Sequence, residues 1–365
     1  MINEHFELLT DTPFLAVDLD VLERNLKRMA DLAKRAGVKL RPHTKTHKSP
    51  YIALKQLEYG ASGITVAKLG EAEVMADHGI DDILIAFPIV GRNKLRRFAD
   101  LLDRAKLTVG LDDLFVAKGI NDVGEARGRR IPIYVDVDTG LHRMGRDAVA
   151  SVEPILEIAR LPYLEVRGLM SHTGHAYAKA TVEEIRAVAV EDAELLNETR
   201  TLLGKRGLDV PEISVGASAT ARFIADIPHA TEMRPGMYAF NDRFVMAAGG
   251  AEVEDCAVAV YATVVARPTR DRIVIDAGSK TLAADPFRHG GYGHVVGHPN
   301  LTVRALSEEH GTIEVAGESD VRVGDVLRII PNHICPAVNL ADELFAFRGG
   351  ELETVIPVLG RGKNR

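Results

Sequence analysis

The chain has 365 residues, 46% of them hydrophobic and 27% charged, with a net charge of −7, so it is long enough for about two domains, or one barrel with a smaller partner. The acidic balance excludes a sequence-independent grip on nucleic acid or an anionic membrane surface. Two cysteines, Cys256 and Cys335, exclude a disulfide scaffold and suit a cytoplasmic setting; the longest apolar run, Ala257–Ala266, is about half a membrane span, and Met1–Thr10 lacks the basic start and apolar centre of a signal peptide.

In chain order, the apolar run Phe14–Val17 comes first and can join either part of the molecule. Val21–Ala36 is a helix on its 3.6-residue spacing of Leu22, Leu26, Met29 and Ala33. Asp20 with Glu23 reads as its capping box and Gly37 as its stop. Eight apolar or β-branched runs then recur: Val38–Leu40, Ile64–Ala67, Ile83–Ala86, Leu107–Leu111, Ile131–Val137, Val166–Met170, Ile213–Val215 and Thr231–Met233. Helical stretches separate them, Ala187–Gly204 among the clearest. Continuous apolar runs alternating with helices predict a parallel sheet buried on both faces. Eight such units point to a (β/α)₈ TIM-type barrel. An open doubly wound sheet ranks second, because no G-x-G-x-x-G follows an early strand. After Asp242 the rhythm changes. Ala257–Ala266, Arg272–Ile275, Leu301–Ala305, Thr312–Val315 and Val326–Ile330 are short runs punctuated by Gly, Pro, Asp and Asn, which is the pattern of a β-rich domain. The expected division is a barrel over 20–245 and a β-rich domain made of 1–19 and 246–365.

In a barrel the reactive groups sit at the C-terminal ends of the strands. The first strand is followed by Arg41-Pro42-His43-Thr44-Lys45-Thr46-His47-Lys48, the fifth by Asp138–Arg143, the sixth by Ser171–Tyr177, the seventh by Gly216–Thr220 and the eighth by Arg234–Tyr238. Ionisable side chains thus collect on one rim. Lys45 lies among His43, Arg41, His47 and Lys48, and neighbouring positive charge with partial burial disfavours its ammonium form. Such a lysine can attack a carbonyl and form a Schiff base; the bland alternative is a solvated basic loop. The Gly/Ser/Thr loops after strands seven and eight offer amides and hydroxyls to a phosphate, or are ordinary turns. Lysine and phosphate loops on one rim together suggest pyridoxal phosphate. His333-Ile334-Cys335, taken as an extended segment, places imidazole and sulfur on one face, where both can bind one metal, zinc first. A buried cysteine beside a satisfied histidine is the other reading of that pair.

With these segments on the page, the chain resembles the D-threonine aldolase/D-serine dehydratase family of fold-type III pyridoxal-phosphate enzymes, whose N-terminal domain is like that of alanine racemase. The resemblance rests on Thr12-Pro13 leading to Asp18-Leu19-Asp20, on Arg41–Lys48, Asp138-Thr139-Gly140, Gly168–Tyr177, Arg234–Tyr238 and His333–Asn339. It implies that Lys45 carries the cofactor. It implies that Arg143 sits near the phenolic oxygen, His172 behind the pyridine ring and Tyr177 at the ring nitrogen. Gly216, Ser218, Thr220, Gly236 and Tyr238 fall where the family holds phosphate. His333 and Cys335 match the family's metal pair, with zinc or manganese standing beside the substrate's β-hydroxyl. The implied substrate is a D-3-hydroxy amino acid. Deprotonation of its β-hydroxyl, with His175 as base, gives a retro-aldol cleavage to glycine and an aldehyde. Removal of the α-proton by Lys45 instead gives dehydration to a 2-oxo acid and ammonia. Cys335 resembles the dehydratases, whereas Pro336-Ala337-Val338-Asn339 resembles the aldolases; the aldolase ranks first. A racemase or a non-catalytic pyridoxal-phosphate-binding protein ranks third, since neither needs the metal pair. A homodimer is the family's expected assembly.

Overall fold

The computed structural model describes residues 10–365. Met1–Leu9, part of the stretch read above as lacking a signal peptide and as the start of the β-rich domain, lie outside the described residues. Among the described residues seventeen strands run in chain order: β1 Phe14–Asp18, β2 Lys39–Leu40, β3 Ile64–Val66, β4 Asp82–Ile85, β5 Lys106–Leu111, β6 Ile131–Asp136, β7 Leu164–Met170, β8 Glu212–Val215, β9 Glu232–Met233, β10 Val258–Thr269, β11 Arg272–Ile275, β12 His294–Val295, β13 Leu301–Leu306, β14 Gly311–Val315, β15 Val326–Ile330, β16 Glu343–Arg348 and β17 Glu351–Pro357. They fall into two compact units: Arg28–Lys45 with Pro50–Gly236 and Gly362–Arg365, and the described part of Met1–Lys27 with Thr46–Ser49 and Met237–Arg361.

The first unit holds the eight expected strands as one parallel sheet, in the order β2-β9-β8-β7-β6-β5-β4-β3. Its two ends meet. His43 bridges Thr65 in parallel, the Thr44 amide donates to the Thr65 carbonyl at 2.8 Å, and the Thr65 amide donates to the Pro42 carbonyl at 2.7 Å. The sheet is therefore a (β/α)₈ barrel. Period-2 geometry sorts its side chains. Ile83, Ile85, Ile131, Ile133, Val135, Ile213, Val215 and Met233 face the helix layer and join the main core. Their neighbours face the axis: Leu84, Tyr134 and Met170 form a small inner cluster. Polar side chains fill the rest of the bore. Arg41 Nε donates to Glu232 Oε2 at 2.7 Å, Ser214 Oγ to Glu232 Oε1 at 2.7 Å, and Arg234 Nε to Ser214 Oγ at 2.7 Å. Glu232 is fully buried, so this pairing is what makes its charge tolerable. The inner face is thus apolar only around Leu84, Tyr134 and Met170 and polar elsewhere, so the continuous runs in the sequence overstate the apolarity of the bore.

In the second unit β1 lies between β10, antiparallel, and β16, parallel. The sheet is mostly antiparallel, running β13-β14-β11-β10-β1-β16-β17 with β15 on β10 and β12 on β15. Phe14 stacks on Tyr261 at 5.3 Å and meets Phe345 edge-on at 5.4 Å. The sequence reading missed the two-residue β12 and the hairpin of β16 and β17. Glu343, Glu351 and Glu353 interrupt the apolar positions of the hairpin, as suits a strand with one wet face. The Asp20–Glu23 capping box is also corrected. The helix spans Leu19–Ala36, and Asp18 Oδ1 accepts from the Val21 amide at 3.0 Å, so Asp18 is the cap. Asp20 and Glu23 instead accept from Arg348, each at 2.9 Å. The helix read as Ala187–Gly204 spans Val182–Lys205, started by a capping box between Thr181 and Glu184. Among the described residues no helix is long and apolar enough to cross a membrane.

Candidate active site

The C-terminal ends of the barrel strands bring a group of cations and imidazoles together. His43 follows β2 and is buried. Burial holds its pKa well below the usual 6.5, and the charges of Lys45, Arg234, His172 and Arg143 push the same way. The Lys45 amide donates to His43 Nδ1 at 3.4 Å, so in the neutral ring the proton sits on Nε2. Lys45 itself is half-buried. His172, after β7, places Nδ1 at 2.9 Å from the Gly216 carbonyl. A carbonyl only accepts, so Nδ1 carries the proton. Burial lowers the His172 pKa to about 3, with Lys45 and Arg143 adding to the effect.

Three glycines make this packing feasible. A Cβ on Gly216, whose φ is +157°, would lie 2.8 Å from the Arg234 amide nitrogen, at the point where that amide donates to the Val215 carbonyl at 2.9 Å. Any side chain there would force β8 and β9 apart. A Cβ on Gly174 would sit 3.3 Å from the His172 ring. In the loop after β6, a Cβ on Gly145 (φ +80°) would lie 2.6 Å from the Asp136 carbonyl oxygen. That loop is further pinned by Asp138, whose Oδ1 accepts from the Gly140 and His142 amides at 3.0 and 2.9 Å, and by Asp112, whose Oδ2 accepts from the Gly145 amide at 2.8 Å. Arg143 is exposed on this fixed loop. Arg143 and His172 line one cavity together with Asp136, Asp138, Thr139 and Leu141.

The loops after β7 and β8 are tied to each other. Tyr177 Oη accepts from the Ala219 amide at 3.2 Å, Thr173 Oγ1 is 3.0 Å from Thr220 Oγ1, and Thr220 Oγ1 donates to the Ala217 carbonyl at 3.1 Å. Gly216, Ser218 and Thr220 thus stand on one braced turn, and Gly236 follows β9. Tyr238 is buried within the Met237–Arg361 stretch of the other unit. The Tyr177 hydroxyl, expected at a ring nitrogen, bonds this loop backbone as an acceptor. His175, in the turn Gly174–Ala178, has a buried Nδ1 without a hydrogen-bond partner among the described residues. Burial lowers its pKa, helped by Lys179, so its ring is neutral near pH 7.

Asp136 and Asp192 escaped the sequence reading, and Arg234, named there only as part of the rim, proves to be a buried brace. Arg234 donates to Ser214 Oγ, to the Ser214 carbonyl at 3.1 Å and to the Ser171 carbonyl. Asp136, at the end of β6, is pushed up to about 6 by burial, against the pull of Arg234 and Arg143. Asp192 is likewise raised to about 6 by burial, and accepts from Thr139 and, at 2.9 Å, from Ser171. Alternation along β6 and β9 is the signal for Asp136 and Arg234, because it aims Tyr134, Asp136, Glu232 and Arg234 inward. Nothing local marks Asp192, which lies within a helix.

His172 offers a pH test. Unfolded, it takes up a proton below about 6.5; folded, only below about 3. Between these values the unfolded chain holds the extra proton. The contribution of His172 to stability is therefore complete above pH 6.5 and is lost as pH falls toward 3, by up to about 1.4 kcal/mol per pH unit. In His172→Asn, urea-unfolding stability is expected to depend less steeply on pH across that window, by up to one proton. Equal slopes in the two proteins would mean that the folded ring is already protonated.

The His-x-Cys pair lies in the second unit, and its local geometry differs from the extended segment expected. His333 is extended (φ −133°, ψ 110°), but it caps the helix Ile334–Leu340, so Cys335 is in the first helical turn. The two side chains still meet in a hydrogen bond. Burial opposes charge on His333, but Cys335, Asp242 and Asp285 outweigh it and raise its pKa to about 9. Thr46 Oγ1 is 3.2 Å from Cys335 Sγ. Among the described residues no group of three or more His, Cys, Asp or Glu side chains is arranged to hold a metal.

Comparison with known proteins agrees with this architecture. Residues 17–243 match the family described as alanine racemase, N-terminal domain, and residues 257–347 match the putative serine dehydratase domain. The chain is 35% identical to a D-threonine aldolase of an Arthrobacter species, over 97% of this chain and 94% of that protein. The crystal structure of a D-threonine aldolase from Filomicrobium marinum superimposes with a TM-score of 0.89 at 32% identity, covering 97% of this chain and 96% of that one. D-threo-3-hydroxyaspartate dehydratase from Delftia sp. HT23 is 32% identical over 90% of this chain and 92% of its own. Its solved forms include a histidine-to-alanine variant and, two positions on, a cysteine-to-alanine variant described as metal-free; the latter superimposes with a TM-score of 0.89 at 30% identity, covering 96% of this chain and 98% of that one. Likeness of this extent, spanning barrel and β-rich unit alike, means that the chain belongs to the D-threonine aldolase/D-serine dehydratase-like family of fold-type III pyridoxal-phosphate enzymes, a family of lyases.

Proposed function

We propose that the protein is a pyridoxal-phosphate- and metal-dependent lyase that cleaves D-3-hydroxy amino acids by a retro-aldol reaction, releasing glycine and an aldehyde. The rim suits the cofactor: Lys45 stands beside His43 and His172, whose imidazoles are held neutral by burial and by the neighbouring cationic charges, and the braced Gly216–Thr220 turn lies on the same rim. When bound, the cofactor supplies an electron sink for the bond broken at the α-carbon, and a divalent metal, zinc or manganese, polarises the β-oxygen.

The protein's own residues have separable tasks. Lys45 would hold the cofactor through its side-chain amine. Arg143, fixed by its pinned loop, would lie at the cofactor's phenolic oxygen. His172 backs the pyridine ring as a neutral imidazole, its orientation set by the Gly216 carbonyl. Gly216, Ser218, Thr220, Gly236 and Tyr238 receive the phosphate, and Tyr177 steadies their loop through the Ala219 amide. His333 and Cys335 hold the metal.

The observation that carries the aldolase reading is the His175 ring. A buried nitrogen with no partner is costly, and a neutral imidazole with a vacant nitrogen suits a base that takes the β-hydroxyl proton. A second reading is dehydration to a 2-oxo acid and ammonia, with Lys45 as the α-proton base. The His-x-Cys pair favours it, since the Delftia dehydratase variants carry the same spacing. Incubation with D-threonine and with D-serine separates the two. Glycine with acetaldehyde is the expected result; 2-oxo acid with ammonia and no glycine would replace the aldolase by the dehydratase. The same reading carries a homodimer, the family's expected assembly, and a cytoplasmic setting, with which two unpaired thiols agree.

A further inference from the structure

We propose that Asp285 is a positioning residue for the metal pair: its carboxylate holds His333 by Nδ1, so that Nε2 is the nitrogen offered to the ion shared with the Cys335 sulfur. The inference rests on the metal reading given above. His333 Nδ1 lies 2.5 Å from Asp285 Oδ2. A carboxylate accepts, so the proton stays on Nδ1 and that nitrogen cannot ligate. Metal-binding imidazoles ordinarily give their second N–H to such a carboxylate, which fixes the tautomer and ring angle and raises the basicity of the ligating nitrogen.

The carboxylate is itself held in place. Asn332, buried just before His333, donates from Nδ2 to the Asp285 carbonyl at 2.9 Å and to the Gly291 carbonyl at 2.8 Å. Arg243 Nη1 donates to Asn332 Oδ1 at 3.1 Å. Phe244 packs edge-on to the His333 ring at 5.5 Å and tilts against Phe287, two residues beyond Asp285, at 5.8 Å. The backbone between the two ligands is fixed from the other side, where Asp242 Oδ2 accepts from the Ile334 amide at 2.9 Å.

The test is metal affinity, read without turnover. The stripped full-length protein is titrated with zinc against a chromogenic chelator. Asp285→Ala is expected to weaken binding by about 10- to 100-fold. Asp285→Asn keeps an oxygen acceptor for the Nδ1 proton and should recover most of the loss. At saturating cobalt, both variants should keep the thiolate-to-metal absorption band and the ligand-field intensity of the unmutated protein. Affinity of Asp285→Ala within about threefold of the unmutated protein would overturn the inference. So would a changed ligand-field spectrum in Asp285→Asn, which would make Asp285 a ligand. If the unmutated protein binds neither ion, the metal reading itself is wrong and the inference falls with it. If the unmutated protein binds zinc, Cys335→Ala does not, and Asp285→Ala is unaffected, the inference alone fails.

Discussion

Lys45→Ala is expected to emerge from purification colourless and to lose turnover by at least ~10⁴-fold, because the covalent attachment and the displaced amine are the same nitrogen. The position tolerates the change structurally. Lys45 is half-buried beyond the end of a barrel strand, and the hydrogen bond from its amide to His43 Nδ1 belongs to the backbone and survives truncation of the side chain. The far-ultraviolet spectrum and unfolding midpoint should therefore stay near those of the unmutated protein. Borohydride reduction of the unmutated protein, followed by peptide mass analysis, should add the reduced cofactor to Lys45 and to no other lysine. A coloured, active Lys45→Ala protein would end the cofactor assignment, and with it the roles given to His172 and Arg143.

Removal of the metal is the second large effect. Dialysis against a chelator, or Cys335→Ala, is expected to lower turnover by roughly 10³-fold, the loss of a Lewis acid worth several kcal/mol at the β-oxygen. The visible band of the bound cofactor should survive, since nothing in that binding requires His333 or Cys335. Readdition of zinc or manganese should restore the dialysed enzyme and leave Cys335→Ala inactive. This pattern sets a lyase apart from a racemase or a non-catalytic cofactor carrier, neither of which needs the pair. Turnover that persists after exhaustive chelation would remove His333 and Cys335 from the site.

These two expectations rest on residues that the sequence displayed openly. Lys45 stands in a dense string of cationic side chains, and His333 and Cys335 are two positions apart, so each is marked by its neighbours. The eight barrel strands were legible for a similar reason. Each is short, apolar and bounded by a helix, and local composition suffices to find it. The β16–β17 hairpin was not, because a strand with one solvated face dilutes its apolar residues with glutamates. The pairing of Asp20 and Glu23 with Arg348 was also invisible, since the partner lies more than three hundred residues away and their spacing imitates a helix cap.

Chain order alone thus marked the barrel strands and the rim loops and singled out Lys45, His333 and Cys335, all of which are written in spacings of a few residues. Folding in three dimensions decided what surrounds them: Arg234 and Asp136 turned inward by strand alternation, the proton on His172 fixed by the Gly216 carbonyl, and Asp285 brought onto His333 from 48 residues upstream. The division follows from range. Propensity and periodicity act between neighbours along the chain, whereas desolvation and charge act through space and depend on which distant residues the packed fold makes adjacent.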